Sequence, residues 1–274
     1  ASCTRRSLSV SKEEVASYLT KSIKARSANP NTLGLSLSGG LDSRAILAGL
    51  EKDAEGMHTY TLGISGCADQ KLAERMARVG KTNHKFVELD QKYLQNFKGM
   101  SDSMIRLSDG MYHPHESTEM LALEYFKSAE FKILLRGHGG EIAKASLAYP
   151  VMVTPQVTAC SRGRDVLEHI FTITNLVTRD NNPGELFTSS FYKKTKDAAR
   201  QSLDDSCGEA SQTLAPADVC IYYYINEHIR RHVVASLEIF RSQIEIRMPY
   251  VDKEYIKKLL QLPVYQRNRG EIHF

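Results

Sequence analysis

Apolar residues fall at Val15, Leu19 and Ile23, the spacing that lays one stripe along a helix. Ser11 followed three residues later by Glu14 supplies a capping box at its start. The spacing therefore predicts a helix over residues 9–27, broken by Asn29-Pro30-Asn31. The period then changes. LGLSLS (33–38) alternates as a strand does, and DSRAILAGLEK (42–52) returns to helical spacing. MHTYTLGI (57–64), HKFVELD (84–90) and FKILLRG (131–137) read as further strands, and residues 69–80, 91–110 and 117–130 as helices.

Strand and helix alternate through the first ~145 residues, which implies parallel pairing by crossovers. The expected fold class is α/β: an open, mainly parallel twisted sheet flanked by helices, with a helical C-terminal region. Residues 146–212 read as loops with short helical pieces, and a long helix follows from Val219 to Phe240. Two regions are expected, 1–146 as the α/β core and 147–274 as a mainly helical part. Ligands on such sheets bind beyond the carboxyl ends of the strands. Two glycine-rich corners, SGGLDS (38–43) and RGHGGE (136–141), follow strands and fall on that edge.

Composition changes this picture little. Among 274 residues, 36 basic and 32 acidic side chains leave a net charge of +4, too small to argue for nucleic acid or a membrane surface. No apolar run approaches the ~20 residues that span a bilayer. Five scattered cysteines without C-x-x-C spacing read as free thiols of a reducing cytoplasm, so a cytoplasmic location is expected. About thirty residues precede the first corner and GEIHF closes the sequence, which reads as a fragment of a longer protein.

The first corner carries the chemistry. Gly39 and Gly40 let main-chain N–H groups approach a ligand, Ser38 and Ser43 add hydroxyls, and a helix begins near Asp42 with its positive end toward the pocket. That is an anion cradle. A carboxylate inside it repels a phosphate unless a divalent cation lies between them, so Asp42 argues for a polyphosphate bound with magnesium. The pattern G-x-x-x-x-G-K-[ST] is absent and no lysine occupies the corner.

At these residues the chain resembles the N-type ATP pyrophosphatases, whose SGGLDS-like PP-loop holds the departing pyrophosphate. LLRGHGGEI (134–142) is similar to the corresponding segment of the asparagine synthetase and β-lactam synthetase branch. QIEIRMPYVDKEYI (243–256) resembles that branch's E-x-R-x-P-[FY]-L-D segment through Glu245, Arg247, Pro249, Tyr250 and Asp252. The resemblance implies an adenine-nucleotide alpha-hydrolase-like fold and an ATP-dependent ligase that adenylates a small-molecule carboxylate and passes it to an amine. ATP and Mg2+ are the implied cofactors. Ser38, Gly39, Gly40 and Ser43 would hold pyrophosphate, and Asp42 and Glu141 would carry metal. His138 would stand at the catalytic position. Leu37 and Leu62 would line an adenine slot, with the backbone of Arg136 and Gly137 on the base.

Several features depart from the family. His138 replaces the glutamate of asparagine synthetase and the tyrosine of β-lactam synthetase. No lysine near the C-terminal end matches the adenylate-stabilising one, and no glutaminase domain is present in the sequence, so either a glutaminase has been removed from this chain, or the amine comes from elsewhere, as from a glutaminase in trans, or the amidation half is incomplete. Two other readings stay open: a nucleotide-binding PP-loop domain without amide synthesis, and a tRNA-modifying PP-loop enzyme. His113 and His115 are read either as pocket-lining or as loop histidines. Glu245 and Arg247 are read as site-shaping or as an ion pair, and Arg230, Arg231 and His232 either as meeting a polyphosphate or acidic substrate or as a solvated face.

Overall fold

The computed structural model of the chain describes residues 10–28, 32–112, 117–147, 153–174 and 181–268. In order along the chain these form α1 (Lys12–Arg26), β1 (Leu33–Ser36), α2 (Leu41–Leu50), β2 (His58–Gly63), α3 (Ala68–Gly80), β3 (Asn83–Glu88), α4 (Gln91–Leu107), α5 (Glu119–Ser128) and β4 (Ile133–Leu135). There follow α6 (Pro155–Ala159), α7 (Gly163–Thr174), α8 (Pro183–Leu186), α9 (Ser189–Thr195), α10 (Ala198–Thr213) and α11 (Pro216–Tyr223). A π-helical stretch (Tyr224–Val233) leads into α12 (Val234–Arg241), then β5 (Glu245–Arg247), α13 (Lys253–Leu259) and α14 (Val264–Asn268). Ser11 caps α1 by accepting the Glu14 N–H at 3.1 Å, as its capping box requires.

Five parallel strands make one sheet in the order β3-β2-β1-β4-β5, flanked by helices. The expected α/β class is the one observed. The strand order turns back on itself at β1: β2 and β3 extend to one side, β4 and β5 to the other. Between β1 and β4 the crossovers diverge, and open α/β sheets leave a crevice at such a point. Leu35 lies opposite Leu135 in the register, so the two glycine-rich corners leave the sheet side by side. One core cluster gathers Tyr60 and Leu134 of the sheet, Leu123 and Phe126 of α5, and Ile239 and Phe240 of α12. Phe131 stands at its centre, against Phe126 at 5.6 Å and His58 at 5.5 Å between ring centroids.

Two compact units share the chain. The first runs to Gly140 and takes up the chain again over His232–Pro263, so it holds all five strands. The second is Glu141–Arg231 with Val264–Gly270 and lies, in chain order, mostly between β4 and β5. It is helical. Val166, Leu167 and Ile170 of α7 are buried, as are Leu203 and Cys207 of α10 and Val219 and Cys220 of α11. Arg164 pairs with Asp204 at 2.8 Å, Arg200 with Glu168, and Arg267 with Asp218 at 2.7 Å.

Two elements differ from the sequence reading. Residues 198–213 form a sixteen-residue helix where loops are expected. The buried stripe of α10 is Leu203, Cys207, Ala210 and Ser211, spaced correctly but built largely of small or polar residues that carry little hydropathic signal. The Glu245–Arg247 segment, absent from the strands read above, is a sheet strand paired with β4.

Candidate functional site

The SGGLDS corner closes on itself. The Ser43 hydroxyl accepts the Ser38 N–H at 3.1 Å and donates to the Ser38 carbonyl at 3.1 Å. The Ser38 hydroxyl accepts the Gly40 N–H at 3.2 Å. Asp69, from the first turn of α3, reaches across and accepts the Gly39 N–H at 3.0 Å. The N–H groups of residues 38, 39 and 40 are thus used within the protein. Gly40 is the N-cap of α2 and makes no side-chain capping bond. The start of α2, the end at which a helix favours anions, lies beside the exposed Ser38 hydroxyl. Asp69 is the residue that sequence reasoning missed. Thirty positions and another strand separate it from Gly39.

The turn after β4 presses against the same corner. A Cβ on Gly137 would come within 2.9 Å of the Asp42 Cβ, and one on Gly140 would run into the Asp42 carboxylate. Only main chain fits there, which explains two of the glycines around His138. Gly139 takes φ +89°, a left-handed conformation that favours glycine, and faces Tyr250 and Val251. Tyr250 in turn donates its hydroxyl to the Asp42 carbonyl at 3.1 Å. Asp42 is therefore held by α2, by the glycine turn and by the segment that follows β5.

That last segment is anchored from α1. The Ser22 hydroxyl donates to the Pro249 carbonyl at 2.7 Å, and Arg26 pairs with Asp252 at 3.1 Å. The Arg247 guanidinium donates to the Arg26 carbonyl at 2.9 Å and pairs with Glu245 at 2.7 Å. The Glu245–Arg247 ion pair is present, and what it fixes is the edge of the sheet.

Residues 14–273 match the asparagine synthase family, a span that takes in both corners and the segment after β5. The chain belongs to the asparagine synthase family. No curated protein matches it.

Among the described residues no group of three or more His, Cys, Asp and Glu side chains could cage a metal. In this asparagine-synthase-type corner the oxygens able to meet a cation are those of the Asp42 carboxylate and the exposed Ser38 hydroxyl, while the main-chain N–H groups suit an anion. So few hard oxygen ligands fit a magnesium ion that arrives on a polyphosphate and keeps part of its water. Glu141, the second expected acid, is half-buried and opens the second unit.

The expected adenine contacts fall out unevenly. Leu37 is fully buried; its N–H donates to the Tyr60 carbonyl at 2.9 Å and its carbonyl takes the Thr61 hydroxyl. Leu62, at the end of β2, is half-buried against the core cluster. The Arg136 N–H donates to the Arg247 carbonyl at 3.1 Å, and the Gly137 carbonyl accepts from Gly140 at 3.2 Å. The Arg136 side chain has a role that sequence did not indicate. It is buried, pairs with Glu119 at 3.0 Å, and lies 4.1 Å from the Phe240 ring centroid.

His138 sits half-buried above this cation. Burial, and then the Arg136 charge, push its pKa down to about 3, against the pull of Asp42. The imidazole is neutral throughout the physiological range. Its folded pKa lies below the unfolded value near 6.5, so between those two values the unfolded chain binds more protons. Stability from this group is full above about pH 6.5 and is lost as pH falls toward 3. Urea midpoints measured at pH 7 and pH 4 are expected to fall less in His138→Gln than in the parent; an equal fall in both contradicts the depressed pKa.

Arg230 and Arg231 pair with Glu227 of the π-helical stretch at 3.4 and 2.5 Å and are otherwise exposed, whereas His232 is half-buried with its ring centroid 5.3 Å from that of Tyr112. Four cysteines, Cys67, Cys160, Cys207 and Cys220, are unbonded. His113 and His115 lie outside the described residues. No helix among those residues is long and apolar enough to cross a membrane.

Proposed function

We propose that this chain is an ATP-dependent ligase that forms a carbon–nitrogen bond by way of an acyl-adenylate. The observation that carries the reading is the meeting of the SGGLDS corner and the Gly137–Gly140 turn around Asp42, at the sheet's switch point. The first turn of α2 would bind the β- and γ-phosphates through the N–H groups of Leu41, Asp42 and Ser43. The Ser38 hydroxyl would donate to the same oxygens. Asp69 and Ser43 would hold the loop in shape before ATP arrives, so that its dipoles need no reorganisation as charge develops.

Asp42 would hold a magnesium ion, which when bound offsets the charge of the departing pyrophosphate. A substrate carboxylate oxygen attacks the α-phosphorus; the bond to the β-phosphate bridging oxygen breaks and pyrophosphate leaves. An amine then attacks the acyl carbon, AMP departs, and the amine loses a proton. His138, neutral and able to accept it, is the candidate base. The amine would be ammonia, supplied by a glutaminase in cis or in trans, or another small amine.

One observation favours a second reading, an ATP-binding domain without amide synthesis. An imidazole whose pKa is about 3 is a weak base for chemistry near pH 7. Pyrophosphate release from ATP, assayed across a panel of carboxylic and amino acids with ammonia present, separates the two. Release that depends on one acid supports the ligase; ATP binding without release for every acid supports the binding domain.

A further inference from the structure

Tyr255 stands beside Tyr250, the residue of the segment after β5 that reaches Asp42. It belongs to the first turn of α13, where Asp252 caps the helix by accepting the Glu254 and Tyr255 N–H groups at 3.0 Å each. Its ring is fully buried and meets the Tyr250 ring edge-on at 5.9 Å between centroids. Tyr250 itself reaches the Asp42 carbonyl. The Tyr255 hydroxyl is buried with no hydrogen-bond partner among the described residues. Buried hydroxyls are nearly always partnered, because the desolvated group otherwise destabilises the fold. A phenylalanine would fill the same space without that penalty. Burial, and then the Asp42 charge, keep the phenol protonated.

We propose that Tyr255 is a positioning residue: its hydroxyl donates to the Asp42 carboxylate when that carboxylate turns onto a cation, holding one oxygen so that the other faces the ion. This rests on the reading of Asp42 given above. Carboxylates that ligate metals are commonly held by such a donor, and losing it weakens metal binding about 10- to 100-fold. Tyr250 would fix the main chain of Asp42 and Tyr255 its side chain.

The test is the magnesium dependence of binding a non-hydrolysable ATP analogue to the full chain, followed by calorimetry, in the parent, Tyr255→Phe and Asp42→Asn. Tyr255→Phe keeps the ring and should fold with an unchanged or raised thermal midpoint in the absence of metal. Its half-saturating magnesium concentration is expected to rise roughly tenfold, with analogue binding in the absence of magnesium unaltered. If Tyr255→Phe matches the parent while Asp42→Asn loses the magnesium dependence, the positioning role is overturned and the Asp42 reading stands. If Asp42→Asn also matches the parent, the Asp42 reading itself fails.

Discussion

Replacing Asp42 with asparagine is expected to leave a folded protein that no longer uses magnesium to bind or cleave ATP. The substitution keeps the shape that the Gly140 main chain accommodates and removes only the charge. Because Asp42 stands in the first turn of α2, the loss of favourable interaction with the helix dipole should lower stability by about 0.3–1 kcal/mol. A directly ligating carboxylate contributes several kcal/mol to charge stabilisation, and each ~1.4 kcal/mol is a factor of ten. Acid-dependent pyrophosphate release at fixed magnesium should therefore fall by about two orders of magnitude or more. A variant with the parent's rate and the parent's magnesium profile contradicts the placement of the cation.

The second large effect lies beneath the site and concerns folding. Glu119→Gln is expected to destabilise the protein by about 3–5 kcal/mol, the range seen when one member of a buried ion pair is removed. The side chains of Arg136 and Glu119 are only 10% and 15% exposed, so the orphaned guanidinium could not recover its hydration. Packing against the Phe240 ring retains part of its interactions but not its counter-charge. The double variant Glu119→Gln with Arg136→Met should regain much of the loss, since an apolar side chain of similar length does not require a partner. Urea unfolding of the three proteins reads this directly. Equal midpoints for the parent and Glu119→Gln would show that the pair contributes nothing.

How far the sequence disclosed this molecule depends on how local each feature is. The strand–turn–helix around SGGLDS was legible because alternation, two glycines and a renewed helical period sit within fifteen consecutive residues. The sheet class followed from repetition of that unit. Less local features were hidden. β5 is three residues long, on the sheet edge, and runs straight into Met248-Pro249, so it carries no period to read. α10 hid behind serine, glycine and aspartate, whose solubility resembles that of loops although every third or fourth position is buried.

The same distinction holds at the site. Ser38, Gly40, Asp42 and Ser43 were named from their own six residues. The Asp69 carboxylate on the Gly39 N–H spans thirty positions, and the Tyr250 hydroxyl on the Asp42 carbonyl spans more than two hundred. Contacts between distant segments are fixed by the sheet order, which no window of sequence contains. His138 was identified by its place between glycines, but its depressed pKa comes from Arg136 and from burial, and both are properties of the fold.

The most direct test of the central claim is a crystal of the full chain soaked with magnesium and a non-hydrolysable ATP analogue. Density for the terminal phosphates at the first turn of α2, within hydrogen-bond distance of the Leu41–Ser43 amides and with a cation on Asp42, is the predicted result. Well-ordered nucleotide elsewhere on the protein, with this corner holding only water, would contradict it.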